Sequence, residues 1–321
     1  MKIAIMGTGG VGGYYGALLA RAGQDVTFIA RGEHLKAIRQ GGLRIKSVNG
    51  DFTISPAAAT DNPADIGVAD LIIFATKTYQ TEEAAGLISP MIGADTMILP
   101  LQNGVDSAER IGAIAGMSHM LAATTWIYAA VEAPGIIGHY SKFSRIAVGE
   151  IDGSDTARVQ AVFQTLNTSG ATIELSSEIQ KKIWTKFVFI SAISAVGCLT
   201  HVTIGEFRNV PETRTILAEA VAEVSAVGKS RGVELDNDIL DSTMKFVDAG
   251  SPEMKPSMQR DFEAGRVSEL ESMIGVIPRF GREGNVPTPV MDFAYAMLKP
   301  AELLAHRARD RKQEGPWIKK S

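Results

Sequence analysis

Cysteine is nearly absent: the 321 residues include one, Cys198. That excludes an intramolecular disulfide and a four-thiolate zinc site. Histidine is scarce as well, and His34, His119, His139, His201 and His306 lack the spacing of metal ligands. Neither sign of charge dominates, with 32 Lys and Arg against 36 Asp and Glu and a formal net charge of −4. This balance leaves no nucleic-acid footprint and no polybasic membrane patch. The opening run Met1–Gly7 stops at glycines and carries no signal-peptide cleavage pattern. A long charge-free run, 187–205, approaches bilayer-spanning length but is interrupted by Ser191, Ser194, Thr200, His201 and Thr203. It reads as a buried core helix. These absences predict a soluble, cytoplasmic protein with no metal, no nucleic acid and no membrane among its partners.

What remains is ordinary globular composition, 45% hydrophobic and 21% charged, with length enough for two domains. Over residues 1–172 short β-branched runs alternate with amphipathic helices. Strands are expected at Lys2–Met6, Asp25–Ala30, Leu71–Ala75 and Met97–Leu101, with a helix over Val11–Ala22. Leu43–Ser47 and Asp51–Ser55 flank the turn dipeptide Asn49-Gly50 and predict a hairpin. Further strands are expected at Leu121–Ala130, Ile136–Tyr140 and Arg145–Gly149, then a helix over Asp155–Thr168 and a short strand at Ile173–Leu175. This is an α/β Rossmann pattern, a doubly wound parallel sheet. Residues 173–299 carry helical periodicity at 177–199, 212–231, 237–248, 267–283 and 289–298, predicting an all-α second domain. Residues 300–321 are expected to form a charged C-terminal tail, a solvated helix end fraying into disorder.

Glycine is the clearest enrichment. Gly7-Thr8-Gly9-Gly10-Val11-Gly12 satisfies G-x-G-x-x-G, follows a strand and opens a helix. In that context it predicts a dinucleotide site, with the pyrophosphate on the helix N-terminus. The second strand ends in Phe28-Ile29-Ala30-Arg31-Gly32, without the acidic residue that bonds a free ribose 2′-hydroxyl. Arg31 suits a 2′-phosphate, so NADP(H) is expected; Glu33, two residues on, is the counter-indication. Lys77 and Asn103 follow the third and fourth apolar strands, at the strand ends where open α/β sheets bind ligands.

In Trp184-Thr185-Lys186-Phe187-Val188-Phe189-Ile190 one lysine adjoins a long apolar stretch. Two readings stand: a snorkelling lysine at a helix start, or a general acid whose pKa is lowered by desolvation against Trp184 and Phe187. Positions 186, 190 and 194 share a helical face, so Ile190 and Ser194 line whatever Lys186 faces. Glu269 is either part of a solvated helix start or an inward partner of the lysine.

These motifs occur in order: Gly7–Gly12, Arg31, Ala75-Thr76-Lys77, Gln102-Asn103-Gly104, Trp184-Thr185-Lys186, and Ser257-Met258-Gln259-Arg260-Asp261 with Gly265-Arg266 and Glu269. As a set they make the chain resemble the ketopantoate reductase family over nearly its whole length. The resemblance implies a Rossmann domain, a helical domain, an active site in the cleft between them, and NADPH-dependent reduction of 2-dehydropantoate to (R)-pantoate in pantothenate biosynthesis. Lys186 matches the catalytic lysine and Glu269 the acidic residue that contacts the cofactor and orients the site. Asn103 matches an asparagine shared by nicotinamide and substrate, and Ser257 a substrate-contacting serine. Arg31 and Lys77 match basic residues near the adenosine phosphate and the cleft.

The chain also departs from that pattern. The family's asparagines four and eight residues after the lysine are Ile190 and Ser194 here, and two more are replaced by Ile204 and Ile274. The expected function is reduction of a 2-oxo acid to a 2-hydroxy acid, 2-dehydropantoate first. The alternatives are a family reductase of a less polar 2-oxo acid or carbonyl compound, and a non-catalytic NADP-binding regulator. A β-hydroxyacid dehydrogenase of the 6-phosphogluconate type would place an asparagine one turn after its lysine, where this chain has Phe189 and Ile190. Monomer and homodimer both remain compatible with the chain.

Overall fold

A computed structural model describes residues 1–313. By internal contacts the chain divides into two units, Met1–Ile183 and the residues from Trp184 onward.

The first unit is built on five parallel strands: β1 (Lys2–Met6), β2 (Asp25–Ile29), β5 (Ala58–Thr60), β6 (Leu71–Phe74) and β7 (Met97–Pro100). Their order is β5-β2-β1-β6-β7, and every pair is parallel. β6 and β7 are buried at every position, which explains their unbroken apolar sequence: parallel strands are covered on both faces. The chain begins in the middle of the sheet, runs outward through β2, and returns to the other side of β1 at β6. Their carboxyl ends therefore form the topological switch point.

Two smaller sheets complete the unit. β3 (Leu43–Ser47) and β4 (Phe52–Ile54) form the expected antiparallel hairpin, joined in one sheet to β9 (Ala129–Ala133) and β10 (Ile136–His139). β8 (Ala122–Trp126), β11 (Arg145–Gly149) and β12 (Thr172–Leu175) form the other. The single strand expected over Leu121–Ala130 is thus two strands in two sheets. The chain leaves its first sheet at Ile127-Tyr128 so that Ala129 and Ala130 can pass the start of the first helix. A Cβ on Gly10 would lie 2.3 Å from the Ala129 carbonyl oxygen. β5, three residues of small side chains at the sheet edge, carries too little pattern to be read from sequence. β12 pairs with β11, so the residues after 172 continue the first unit.

The helices of this unit are α1 (Gly10–Arg21), α2 (Gly32–Gly41), α3 (Thr81–Leu87), α4 (Ser107–Ala115) and α5 (Ala157–Asn167). α6 (Ile179–Thr200) begins before the division and continues into the second unit. Among the described residues it is the one helix long and apolar enough to cross a bilayer, but 61% of its most apolar window is buried within the protein. It is a core helix.

The second unit is helical: α7 (Ile204–Phe207), α8 (Pro211–Ser230), α9 (Ile239–Ala249), α10 (Ser257–Glu263), α11 (Val276–Glu283) and α12 (Pro289–Gln313). α8 packs on α9, α11 and α12. Glu223 of α8 accepts hydrogen bonds from the Val290 and Met291 amides, satisfying two of the donors that a helix N-terminus leaves open. α11 is preceded by a π-helical turn, Glu271–Gly275, inside what the periodicity presents as one helix over 267–283. α12 runs through Pro300, so the tail expected from 300 is helical as far as 313. The remainder of that tail lies outside the described residues.

Candidate functional site

The polar residues singled out by sequence fall into two groups, one in each unit. In the first, the glycines of the turn after β1 do different work. Gly7 has φ +99°, and a Cβ there would lie 2.8 Å from the Thr76 amide nitrogen, at the ends of β1 and β6. A Cβ on Gly12 would lie 2.2 Å from the Gly7 carbonyl oxygen. Both glycines are needed by the protein's own backbone. Gly9 differs: a Cβ there meets nothing within 4 Å. The room beside Gly9, at the start of a helix with no acidic residue in its first turn, is what a dinucleotide pyrophosphate requires. Thr8 holds the turn in place, its amide and hydroxyl both donating to the Ile29 carbonyl at 3.1 and 2.8 Å.

An open pocket of about 170 Å³ adjoins this turn, lined by Gly7, Thr8, Arg31, His34, Gln80 and Glu83, among others. Arg31 sits at the N-cap of α2 and pairs with Glu83 at 3.1 Å; both side chains are more than half exposed. His34 and Glu83 were not foreseen. The His34 ring donates through Nε2 to the Thr8 carbonyl at 2.9 Å and accepts through Nδ1 from the Gly135 amide at 3.0 Å. Protonating Nδ1 would set two N–H groups against each other. Burial also pushes the imidazole pKa down, only partly opposed by the bond to Thr8. The ring is therefore neutral near pH 7, and Arg31 supplies the positive charge of this pocket.

Lys77 and Asn103 follow β6 and β7, both half-buried, and neither lines that pocket. The Gln102 amide nitrogen ties these strand ends together, donating to the Thr76 carbonyl and to Thr81 Oγ1, each at 3.0 Å. Gly104, at φ +97°, then turns the chain in a conformation that favours glycine.

The second group gathers around α6. Lys186 is half-buried, and desolvation pulls its ammonium pKa from the ordinary 10.5 down to about 8, opposed by the charge of Glu269. Glu269 is 3% exposed and immediately precedes Leu270 and the π turn. Of the two readings for Glu269, the inward one matches its burial, and its charge acts on Lys186. The indole of Trp184 has another neighbour: a Cβ on Gly228 of α8 would lie 2.8 Å from it. Two residues along a helix is about 200°, so the indole faces away from the lysine.

Ser194 is fully buried and its hydroxyl donates to the Ile190 carbonyl at 2.6 Å, so it is engaged by its own helix. Ile204 and Ile274 are both fully buried, and Ile190 is half-buried. Ser257 is the first residue of α10 and is half-buried. Ser191, one residue after Ile190, donates to the Met273 carbonyl at 2.5 Å and so pins the π turn to α6. π turns recur at functional sites because they free a carbonyl and re-aim neighbouring side chains.

The strand order, the glycine turn at the switch point and the helical second unit define a two-unit protein of the Rossmann type. Comparison with known proteins sharpens that class. Residues 3–153 match the family described as ketopantoate reductase PanE/ApbA, and residues 178–302 match its C-terminal counterpart. The chain belongs to the ketopantoate reductase family. It is 28% identical to 2-dehydropantoate 2-reductase of Mesorhizobium japonicum, over 93% of this chain and 97% of that protein. Among solved structures it is similar to 2-dehydropantoate 2-reductase from Geobacter metallireducens, with TM-score 0.88, 28% identity and coverage of 94% and 100%. It is also similar to a D-mandelate dehydrogenase in complex with NADH, with TM-score 0.84, 25% identity and coverage of 94% and 99%.

Proposed function

We propose that this protein reduces a 2-oxo acid to the corresponding 2-hydroxy acid with NADPH, and that 2-dehydropantoate is the first substrate to test. One observation carries the reading. Lys186 is held desolvated with Glu269 as its charge partner, giving an ammonium with a pKa near 8 in a family of ketopantoate reductases.

When bound, NADPH would supply a hydride for C2 of the acid. As negative charge grows on the C2 oxygen, Lys186 Nζ stabilises it and then donates its proton, leaving a neutral amine and a hydroxyl group. Glu269 orients the ammonium and keeps its pKa from falling further. Gly9 and the start of α1 would hold the pyrophosphate. Arg31 would exchange Glu83 for the 2′-phosphate, an exchange made easy because an exposed ion pair is worth only about 0–1 kcal/mol. Lys77, Asn103 and Ser257 would contact cofactor or substrate. The enzyme works in the cytoplasm on a small-molecule anion.

A second reading is favoured by particular residues. Ile204 and Ile274 are fully buried and the Ser194 hydroxyl is already engaged, so polar partners for a hydroxylated substrate are fewer than the family pattern supplies. A less polar 2-oxo acid, such as an aryl one, fits that composition; the D-mandelate dehydrogenase is a structural relative with 25% identity. NADPH oxidation by the purified protein against a panel of 2-oxo acids decides. Fast turnover of 2-dehydropantoate supports the first reading, and turnover restricted to aryl or alkyl 2-oxo acids supports the second. Tight NADPH binding with no turnover of any carbonyl compound would overturn both and leave a binding protein.

A further inference from the structure

Helix α12 grips the segment carrying Glu269 on both sides of that residue. On one side, Glu302 is 3% exposed and accepts three hydrogen bonds from Ser268. The backbone amide donates to Oε1 at 3.0 Å and Oε2 at 3.2 Å, and the hydroxyl to Oε2 at 2.7 Å. On the other side, Glu271 accepts from the Tyr295 hydroxyl at 3.0 Å and from the Lys299 ammonium. Tyr295, Lys299 and Glu302 recur at i, i+4 and i+7, so one face of α12 makes both contacts.

Burying a carboxylate is costly unless its oxygens are satisfied. Here those oxygens converge on the residue immediately before Glu269, with His306 Nε2 3.3 Å from Oε1 as a further neighbour. A fork of this kind fixes the main chain rather than a distant side chain. The Ser191 bond to the Met273 carbonyl supplies the opposing anchor on α6, five residues past Lys186.

We infer that Glu302 is a positioning residue: through Ser268 it sets where the Glu269 carboxylate stands relative to Lys186. The inference rests on the pairing of Lys186 with Glu269 in the reading above, and it reaches a residue far from both in sequence.

The test uses the full chain without substrate. Amine acylation by acetic anhydride, followed by mass spectrometry across pH, gives the midpoint at which Lys186 becomes reactive. Glu302→Gln should lower that midpoint by about half a pH unit, a threefold rise in reactive amine below it, because Glu269 no longer supports the ammonium. In a Glu269→Gln background the same substitution should shift nothing, since its effect passes through Glu269. Ser268→Ala should reproduce part of the shift and Ser268→Thr, which keeps the hydroxyl, should not; this pair decides the matter if Glu302→Gln fails to fold. NADPH affinity should stay within about twofold in Glu302→Gln, Ser268→Ala and Ser268→Thr, each provided it melts cooperatively, as expected when no contact to the cofactor is removed.

A midpoint unmoved by Glu302→Gln, or moved equally with and without Glu269, overturns the inference while leaving the pairing intact. A midpoint unmoved by Glu269→Gln alone overturns the pairing, and the inference with it.

Discussion

In the first unit the features that prepare for a ligand are made of backbone: Gly7 at φ +99°, the open space beside Gly9, and amides at the start of α1. In the second they are made of side chains: Lys186, Glu269, Ser268 and Glu302, brought together from separate segments of the chain. Backbone preparation is stiff and insensitive to pH, and it depends on single positions where no side chain fits. Side-chain preparation is tunable, because burial and one neighbouring charge decide how acidic the lysine is. A dinucleotide needs the former, since its phosphates never change charge during hydride transfer. A proton donor needs the latter.

The largest expected effect breaks the second unit's side of this contrast. Lys186→Ala should lower kcat by about 10²–10⁴-fold, the range for loss of a general acid, while NADPH affinity measured by fluorescence titration stays nearly unchanged. A rate close to wild type would remove Lys186 from the mechanism.

Next come the glycines, which separate packing from ligand binding within one turn. Gly12→Ala should destabilise the fold by about 1–3 kcal/mol, because its Cβ would lie 2.2 Å from the Gly7 carbonyl oxygen. Gly9→Ala should leave stability within about 0.5 kcal/mol of wild type and still weaken NADPH binding. Melting curves with and without NADPH read both effects; equal losses of stability would erase the distinction.

Cofactor choice follows. Arg31→Ala should reduce the preference for NADPH over NADH by about tenfold or more, the loss of one charge-assisted contact to a 2′-phosphate. Glu83→Gln should raise that preference by a few-fold, because Arg31 is then released from its 3.1 Å partner. The ratio of kcat/KM for the two cofactors measures both, and an unchanged ratio in Arg31→Ala would show that the phosphate is held elsewhere.

The smallest effect is a slope. With Lys186 as proton donor, kcat/KM for reduction should be level below about pH 8 and fall roughly tenfold per unit above it. Oxidation of the hydroxy acid needs the neutral amine, so it should rise up to about pH 8 and then level. Profiles that run in the same direction would contradict the assignment of the acid.

How far the sequence could be read follows the same contrast. The parallel sheet and its glycine turn were legible because unbroken apolar runs and a glycine-rich strand–helix junction are local patterns with local causes. Lys186 stood out as a charge against an apolar run, and an inward Glu269 was one of two readings its sequence allowed. The split of residues 121–130 between two sheets was not legible, since it arises from the close approach of Ala129 to Gly10, more than a hundred residues earlier in the chain. His34 was hidden for a related reason: its tautomer is set by Thr8 on one side and Gly135 on the other. Glu302 looked like one more charge in a solvated helix. Nothing in its neighbours says that it is buried, and only the packing of α12 on the π turn brings it to Ser268.

The π turn at Glu271–Gly275 has one more consequence. A π turn takes up one residue beyond what an α-helical path needs, so the helix that follows is out of phase with the residues before it. Deleting a single residue there would let the segment close as an ordinary α-helix, turning Glu269 by about 100° relative to α11. Lys186, Ser268, Glu269 and Glu302 would all survive that edit, yet the carboxylate would point elsewhere. Chain length across those five residues is therefore itself a determinant of where Glu269 points, one that no inventory of residue types would reveal.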